Sequence, residues 1–293
     1  MAEYKILTDS TADLPQAFVE ENNLGIISLT YIIDDETYSG ETGVELEPQE
    51  FYARVRDGKM PTTSQVNPDQ VRAAIDKAVT EEGCKEVVMI GLSSGISGTS
   101  NSMRIGAEDY MEDNPDVKVY VIDSLCASLG EGLFVYYAVK NRKDGMSAAD
   151  NAKWLEEHKL NIVHAFTVDD LFHLYRGGRV KKSAAIVGSI VNLKPILHVD
   201  DEGHLINLST LRGRKKSLKA LVDYMDEHIG SYRDKNEVIF ISHGDCEEDA
   251  EFVATEIKER FGYDSFVINY IGPTIGAHSG PGTVALFFLG ETR

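Results

Sequence analysis

The sequence predicts an α/β protein of two α/β domains: an N-terminal one with a mostly parallel sheet and helices on both faces, and a C-terminal one with a mixed sheet and helices. Three observations predict it. Short β-rich runs alternate with helix-periodic stretches through the first half, the pattern of a parallel sheet. In the second half Asp200-Asp201-Glu202-Gly203 breaks that alternation with a hairpin signal, which implies an antiparallel pair. The length, 293 residues, exceeds the size at which one hydrophobic core usually stops growing. We place the domains at 1–155 and 156–293, the boundary falling just after Trp154, the only tryptophan.

Each element has its own signal. Tyr4 to Thr8 reads as the first strand, and Asp9-Ser10-Thr11-Ala12-Asp13-Leu14-Pro15 as a turn whose capping residues and first-turn proline open a helix. Leu24 to Ile33 is β-rich. Pro48 to Arg56 and Pro68 to Thr80 carry helical periodicity, Glu86 to Leu92 and Val117 to Asp123 read as buried strands, and Ser147 to His158 as a polar helix. Pro195 to Val199 and His204 to Thr210 flank the hairpin turn. Strand-like Val238 to Ser242, helical Glu247 to Phe261, and strand-like Phe266 to Ile271 and Thr283 to Leu289 complete the chain. No Pro/Gly/Ser linker separates the two domains, so they should touch along a cleft, where small ligands tend to bind.

Composition excludes several classes of function. The net charge of −19 repels a phosphate backbone and argues against general nucleic-acid binding. No stretch approaches the ~18 apolar residues of a membrane span, and nothing near Met1 resembles a signal peptide, so a cytoplasmic location is expected. Cys84, Cys126 and Cys246 are too scattered for a disulfide framework or a zinc site, and the histidines show no metal-ligand spacing, so no metal is expected. Walker A and G-x-G-x-x-G patterns are missing, and no nucleotide cofactor is expected either. Charge is uneven, however: ten of the 29 Lys and Arg residues lie between Arg176 and Lys219. They form either two solvated helix ends or a docking face for an acidic or phosphate-bearing partner.

Four segments could carry chemistry. Gly91-Leu92-Ser93-Ser94-Gly95-Ile96-Ser97-Gly98-Thr99 follows a buried strand and opens a helix, placing hydroxyls and free N–H groups where an anion would be held. It also satisfies G-x-S-x-G with Ser93 as a nucleophile. Pro61-Thr62-Thr63-Ser64-Gln65 offers three consecutive hydroxyls; each could simply cap the Pro68 helix, or together with the Ser93 loop they could surround a small anionic head group. Ile271 to Gly282 sets His278 among four glycines and two prolines, which reads as an irregular loop with a set shape. Leu174 to Val180 places Arg176 and Arg179 around a glycine pair.

These segments, taken in order with Asp9 to Pro15, resemble the motifs of the DegV family of bacterial fatty-acid-binding proteins, which includes the B subunit of fatty acid kinase. The likeness runs from end to end, and Val66-Asn67-Pro68 departs from it where a proline is expected directly after Gln65. The resemblance implies a carrier without catalytic residues of its own. By the same resemblance a long-chain fatty acid is expected in a tunnel near the domain interface, its carboxylate held by Thr62 and by Ser93 or Ser94, with Ser94 preferred, and with Thr63 and His278 in the same polar network. The resemblance further implies a separate ATP-dependent kinase subunit that phosphorylates the acid to an acyl phosphate, and Arg179, Arg212 and Arg214 look like its docking arginines. Transient contact with a membrane is compatible with such a carrier. Burying about 15 methylenes at roughly 0.8 kcal/mol each offers on the order of 12 kcal/mol before immobilisation costs, provided the head group is hydrogen-bonded. Candidate tunnel walls are Ile186, Val187, Ile190, Val191 and Leu193, with Phe166, Leu171 and Phe172.

The competing reading is a serine hydrolase or esterase with Ser93 as nucleophile, His278 as base and an acid such as Asp245, in the chain order of α/β-hydrolases. A binding module for another amphiphile, a sterol or isoprenoid, is not distinguished from the carrier at this level.

Overall fold

A computed structural model describes residues 4–39, 46–169, 171–181 and 192–293. Strands β1 (Lys5–Asp9), β2 (Gly25–Ile27), β6 (Glu86–Gly91) and β7 (Lys118–Asp123) form a parallel sheet in the order β2-β1-β6-β7. Its two faces follow directly from alternation along the strands. Leu7, Val87 and Met89 pack against α3 (Pro68–Thr80) and α4 (Thr99–Asp113). Ile6, Val88, Ile90 and Ile122 point the other way, toward α5 (Leu129–Lys143) and α6 (Ala148–His158). Helix α3 begins where the sequence predicts, with Asn67 and Gln70 forming a reciprocal capping box ahead of Pro68.

The second sheet is mixed, with order β10-β9-β8-β13-β11-β12. Strands β8 (Ile162–Thr167), β9 (Leu193–Val199), β10 (Leu205–Arg212) and β13 (Val284–Leu289) pair antiparallel; β11 (Ile239–His243) runs antiparallel to β13 and parallel to β12 (Phe266–Tyr270). The predicted hairpin joins β9 to β10, with Gly203 at φ +79° and the Asp200 carboxylate accepting from the N–H groups of Glu202 and His204. Val163, Ala165, Ile239, Ile241 and Leu286 face α8 (Arg214–His228) and α9 (Glu247–Phe261). The opposite face turns Phe166, Leu197, Phe240 and Phe287 toward α5. Helix α5 is therefore enclosed between the two sheets, which explains why its sequence is apolar on nearly every side. One continuous core, from Tyr4 to Leu289, includes residues of both sheets.

A smaller antiparallel sheet, β4-β3-β5, is built from β3 (Thr30–Ile33), β4 (Glu36–Tyr38) and β5 (Thr62–Ser64), and covers α2 (Pro48–Arg56). Here the structure departs from the sequence reading. Thr62 to Ser64 is not a cap for the following helix but a strand, with Thr63 opposite Tyr31. The Ile271 to Gly282 segment is also more regular than expected. Pro273 starts a short helix, α10 (Pro273–Ser279), and Gly276 lets it approach Tyr52 so closely that a Cβ would sit 2.6 Å from the tyrosine oxygen. Similarly, α7 (Phe172–Arg176) takes up the start of the arginine loop. Among the described residues, no helix is long and apolar enough to cross a membrane.

Candidate functional site

The four motif segments meet, and glycines set how closely. A Cβ on Gly98 would fall 2.2 Å from Gln65 Oε1, which locks the Ser93 loop onto the end of β5. A Cβ on Gly177 would lie 2.2 Å from His278 Nδ1, which brings the arginine loop onto α10. Arg176 ties the assembly by donating to the carbonyls of Pro61 and Ala277, both at 3.0 Å. Arg179 Nε donates to Ile96 O at 3.2 Å, and the same guanidinium also bonds Gly177 O.

At this junction lies a cavity of about 190 Å³. One part of its wall is polar: Thr63, Gln65, Ser97, Arg179, His278 and Ser279. Elsewhere the wall is mainly apolar, with Phe166, Ala285 and Phe287 from the mixed sheet, Val199 and Leu205 from the hairpin, and Leu92, Ile96, Leu174, Ile271 and Ile275 from the loops and helices. Thr63 Oγ1 and His278 Nε2 are 2.8 Å apart. Burial, assisted by the positive charges of Arg179 and Arg176, holds the His278 pKa down to about 4, so the imidazole is neutral near pH 7. An uncharged hydroxyl–imidazole pair beside a half-buried guanidinium can hydrogen-bond an anion.

The predicted residues separate at this point. Thr63, His278 and Arg179 border the cavity. Thr62 and Ser94 do not. Alternation along β5 leaves Thr62 and Ser64 exposed while Thr63 turns inward, and Ser94 is exposed with its N–H donating to Asp123 at 3.1 Å. Ser93 is fully buried; its hydroxyl donates to Gly203 O at 2.9 Å and accepts from Gly95 N–H at 3.1 Å. Asp245 pairs with Arg56, and His278 is engaged by Thr63, so the three residues of the hydrolase reading are each hydrogen-bonded elsewhere. Arg212 is exposed, whereas Arg214 donates to Asp249 at 2.8 Å, and neither borders the cavity. Of the candidate walls, Phe166 borders it and Leu171, Phe172 and Leu193 do not; Ile186, Val187, Ile190 and Val191 lie outside the described residues.

Several wall residues escaped the sequence reading. Gln65 and Ser97 sit inside motifs already singled out, but Ser128 and His164 are ordinary letters in core segments. Ser128 has the strained φ of +54° and donates to the Asp13 carboxylate while its oxygen meets Ser242 Oγ at 2.9 Å. Asp13 also accepts from Gly272 N–H at 3.0 Å, and Asp9 accepts from Leu92 N–H at 2.9 Å. The first motif thus props two of the cavity-bordering segments from behind. A second cavity, of about 790 Å³, lies on that side, bordered by Asp9, Asp13, Asn269 and Tyr270; Leu29 and Thr274 border both cavities. Asp200, Glu202 and His204 gather at the surface of the hairpin turn, where Asp200 is already occupied in holding the turn.

A parallel sheet, a mixed sheet and a cavity, mainly apolar with one polar part, that the mixed sheet and the motif loops border define the class, a two-sheet α/β protein with an amphipathic pocket. Residues 3–291 match the DegV family model, whose description is that of an uncharacterised protein. A DegV domain-containing protein of Clostridium perfringens is 42% identical over 293 residues, covering 100% of this chain and 99% of that protein. Among solved structures, DegV of Bacillus subtilis, described as a fatty acid binding protein, superposes with a TM-score of 0.82 at 31% identity, covering 99% of this chain and 100% of that one. A stearic-acid-binding protein of Eubacterium ventriosum gives 0.87 at 25% identity, covering 99% of each chain. The chain belongs to the DegV family.

Proposed function

We propose that this chain binds a long-chain fatty acid in a tunnel that develops from the cavity bordered by the mixed sheet and the motif loops, near the interface of domains 1–155 and 156–293, and presents its carboxylate to a separate ATP-dependent kinase for conversion to an acyl phosphate. One observation carries the reading: the Thr63–His278 pair and an apolar wall of Phe166, Ala285 and Phe287 belong to the same cavity, at the meeting point of the family's motifs. The carboxylate takes the polar part and the tail the apolar part, an arrangement that hydrogen-bonds the one group whose burial is costly. Relatives described as fatty-acid-binding support the ligand class.

We assign the carboxylate to Thr63 and His278, and place Thr62 and Ser94, the pair designated by resemblance, on the solvent side of the same two segments. Ser93 supports the loop through Gly203 and is not a nucleophile. Pockets for small molecules usually span ~300–1,000 Å³. The cavity, at about 190 Å³, is smaller, so a full acyl chain requires wall side chains to move apart. Arg179, half-buried at the cavity, and Arg212 and Arg214 on the basic segment are the docking residues for the kinase.

The test is thermal denaturation with palmitate and with methyl palmitate, which keeps the tail and loses the anion. Palmitate raises Tm, by an amount that grows with the logarithm of its concentration relative to Kd, and the ester raises it much less. No shift with palmitate refutes the reading. Addition of a purified fatty acid kinase with ATP, followed by hydroxylamine trapping, then shows whether the bound acid becomes an acyl phosphate.

A further inference from the structure

Arg176 stands at the end of α7 and does not border the cavity, yet it is bonded to both segments that carry the head-group pair. Its Nη2 donates to Pro61 O and to Ala277 O, each at 3.0 Å. Pro61 leads directly into β5, where Thr63 faces inward, and Ala277 immediately precedes His278 in α10. Both bonds leave one nitrogen, so the two carbonyl oxygens stand no farther apart than twice that distance. The Ala277 carbonyl is open to such a donor. Its partner in a continuing helix would be residue 281, and Pro281 has no N–H.

Among the described residues no other side chain is hydrogen-bonded to both the Pro61–Gln65 segment and α10, and the one hydrogen bond that joins them directly is the Thr63–His278 contact itself, at 2.8 Å. A hydroxyl and an imidazole on separate segments reach one carboxylate together only when the backbones behind them keep a fixed spacing. The guanidinium that sets this spacing is partly buried and charged, and charge-assisted bonds are stronger than neutral ones. Gly177, the next residue, closes the far side of the imidazole, since a Cβ there would lie 2.2 Å from His278 Nδ1. Residues 176 and 177 therefore hold both the backbone before His278 and its ring.

Resting on the fatty-acid reading and its assignment of the carboxylate to Thr63 and His278, we propose that Arg176 is the positioning residue of that pair: it sets the spacing at which the hydroxyl and the imidazole receive the anion, by joining the backbones that carry them, without itself touching the ligand. Its effect is then confined to the head group. An arginine that only stabilised the fold would affect a charged and an uncharged ligand of the same tail alike.

The experiment is competitive displacement of a fluorescent fatty acid from the full chain by palmitate and by methyl palmitate, in the wild type, Arg176→Met and Arg176→Lys. Arg176→Met keeps an unbranched stem and loses the donors. It lowers palmitate affinity about tenfold and leaves the ester nearly unchanged, so the preference for the acid shrinks by about the same factor. Arg176→Lys restores the preference to within about threefold of the wild type, because both bonds come from one nitrogen and an ammonium supplies the same two donors without the planar fork. An unchanged preference in Arg176→Met overturns the proposal, as does an equal loss for acid and ester, or a lysine variant no better than the methionine one; each leaves the fatty-acid reading intact. Failure of the wild-type chain to bind palmitate overturns that reading instead. Where Arg176→Met does not fold, Arg176→Gln, polar but too short to reach the two carbonyls, takes its place with the same expected loss and the same refuting results.

Discussion

Replacing Asp13 by asparagine should stabilise this protein, increasingly so as the pH rises. Three carboxylates, Asp9, Asp13 and Glu131, cluster behind the ligand loops at the N-terminal end of α5, and among the described residues no lysine or arginine pairs with any of them. They are held by hydroxyls and amides instead: Thr8 donates to Glu131 at 2.7 Å, Thr11 N–H to Asp9 at 2.9 Å, and Ser128 to Asp13 at 2.5 Å. Burial is the largest influence on each and pushes each pKa up, Asp13 to about 7. The folded chain therefore keeps a proton on Asp13 that the unfolded chain gives up near pH 4. The group's contribution is complete below the unfolded pKa and is lost as the pH climbs to the folded one, at about 1.4 kcal/mol per pH unit and about 4 kcal/mol in all. Asparagine keeps the shape, tolerates the left-handed backbone at this position, where φ is +52°, and does not ionise. Urea unfolding of both proteins between about pH 5.5 and 8, above the isoelectric point of 4.8, should show the gap in favour of Asp13→Asn widening by about 2 kcal/mol up to pH 7 and then levelling off. A gap that does not change with pH, or a wild-type chain that becomes the more stable partner at pH 8, would refute the reasoning.

Gly177→Ala places a methyl group where His278 Nδ1 stands, although φ of −73° suits alanine, so fatty acid affinity should fall about tenfold and Tm by a few degrees; calorimetric titration and thermal denaturation check it. Arg179→Ala should leave lipid content per chain intact and reduce transfer to the kinase, measured by acyl hydroxamate yield. Loss of lipid in that variant would move Arg179 from docking to the cradle it borders. An activated fluorophosphonate should leave Ser93 unlabelled because its hydroxyl is buried on Gly203 O, and stoichiometric labelling would revive the hydrolase reading.

Much of the fold was legible because local signals and tertiary demands agree. Pro68 and Asn67 start α3 where capping chemistry says they should, and Asp200 to Gly203 turns the chain as its composition requires. Agreement fails where an element is too short to show a period. Thr62 to Ser64 contains only three residues, so nothing local distinguishes a strand from a cap, and its pairing with β3 is what turns Thr63 rather than Thr62 inward. The helix around His278 is likewise masked by glycines that serve close approach to Tyr52 and Arg176's loop. The motifs converge as a group, whereas the roles within them depend on contacts distant in sequence: Ser93 resembles a nucleophile by its neighbours and becomes a strut because Gly203 lies 110 positions away. His164 and Ser128 had no signal, because a buried polar residue in a core strand or before a helix looks the same whether or not it borders a cavity.

The most direct measurement is organic extraction of the protein purified from cells under non-denaturing conditions, with mass spectrometry of the released lipid. The account predicts about one long-chain fatty acid per chain, reduced by Gly177→Ala. Recovery of no fatty acid from a folded chain that also shows no thermal shift with palmitate would contradict it.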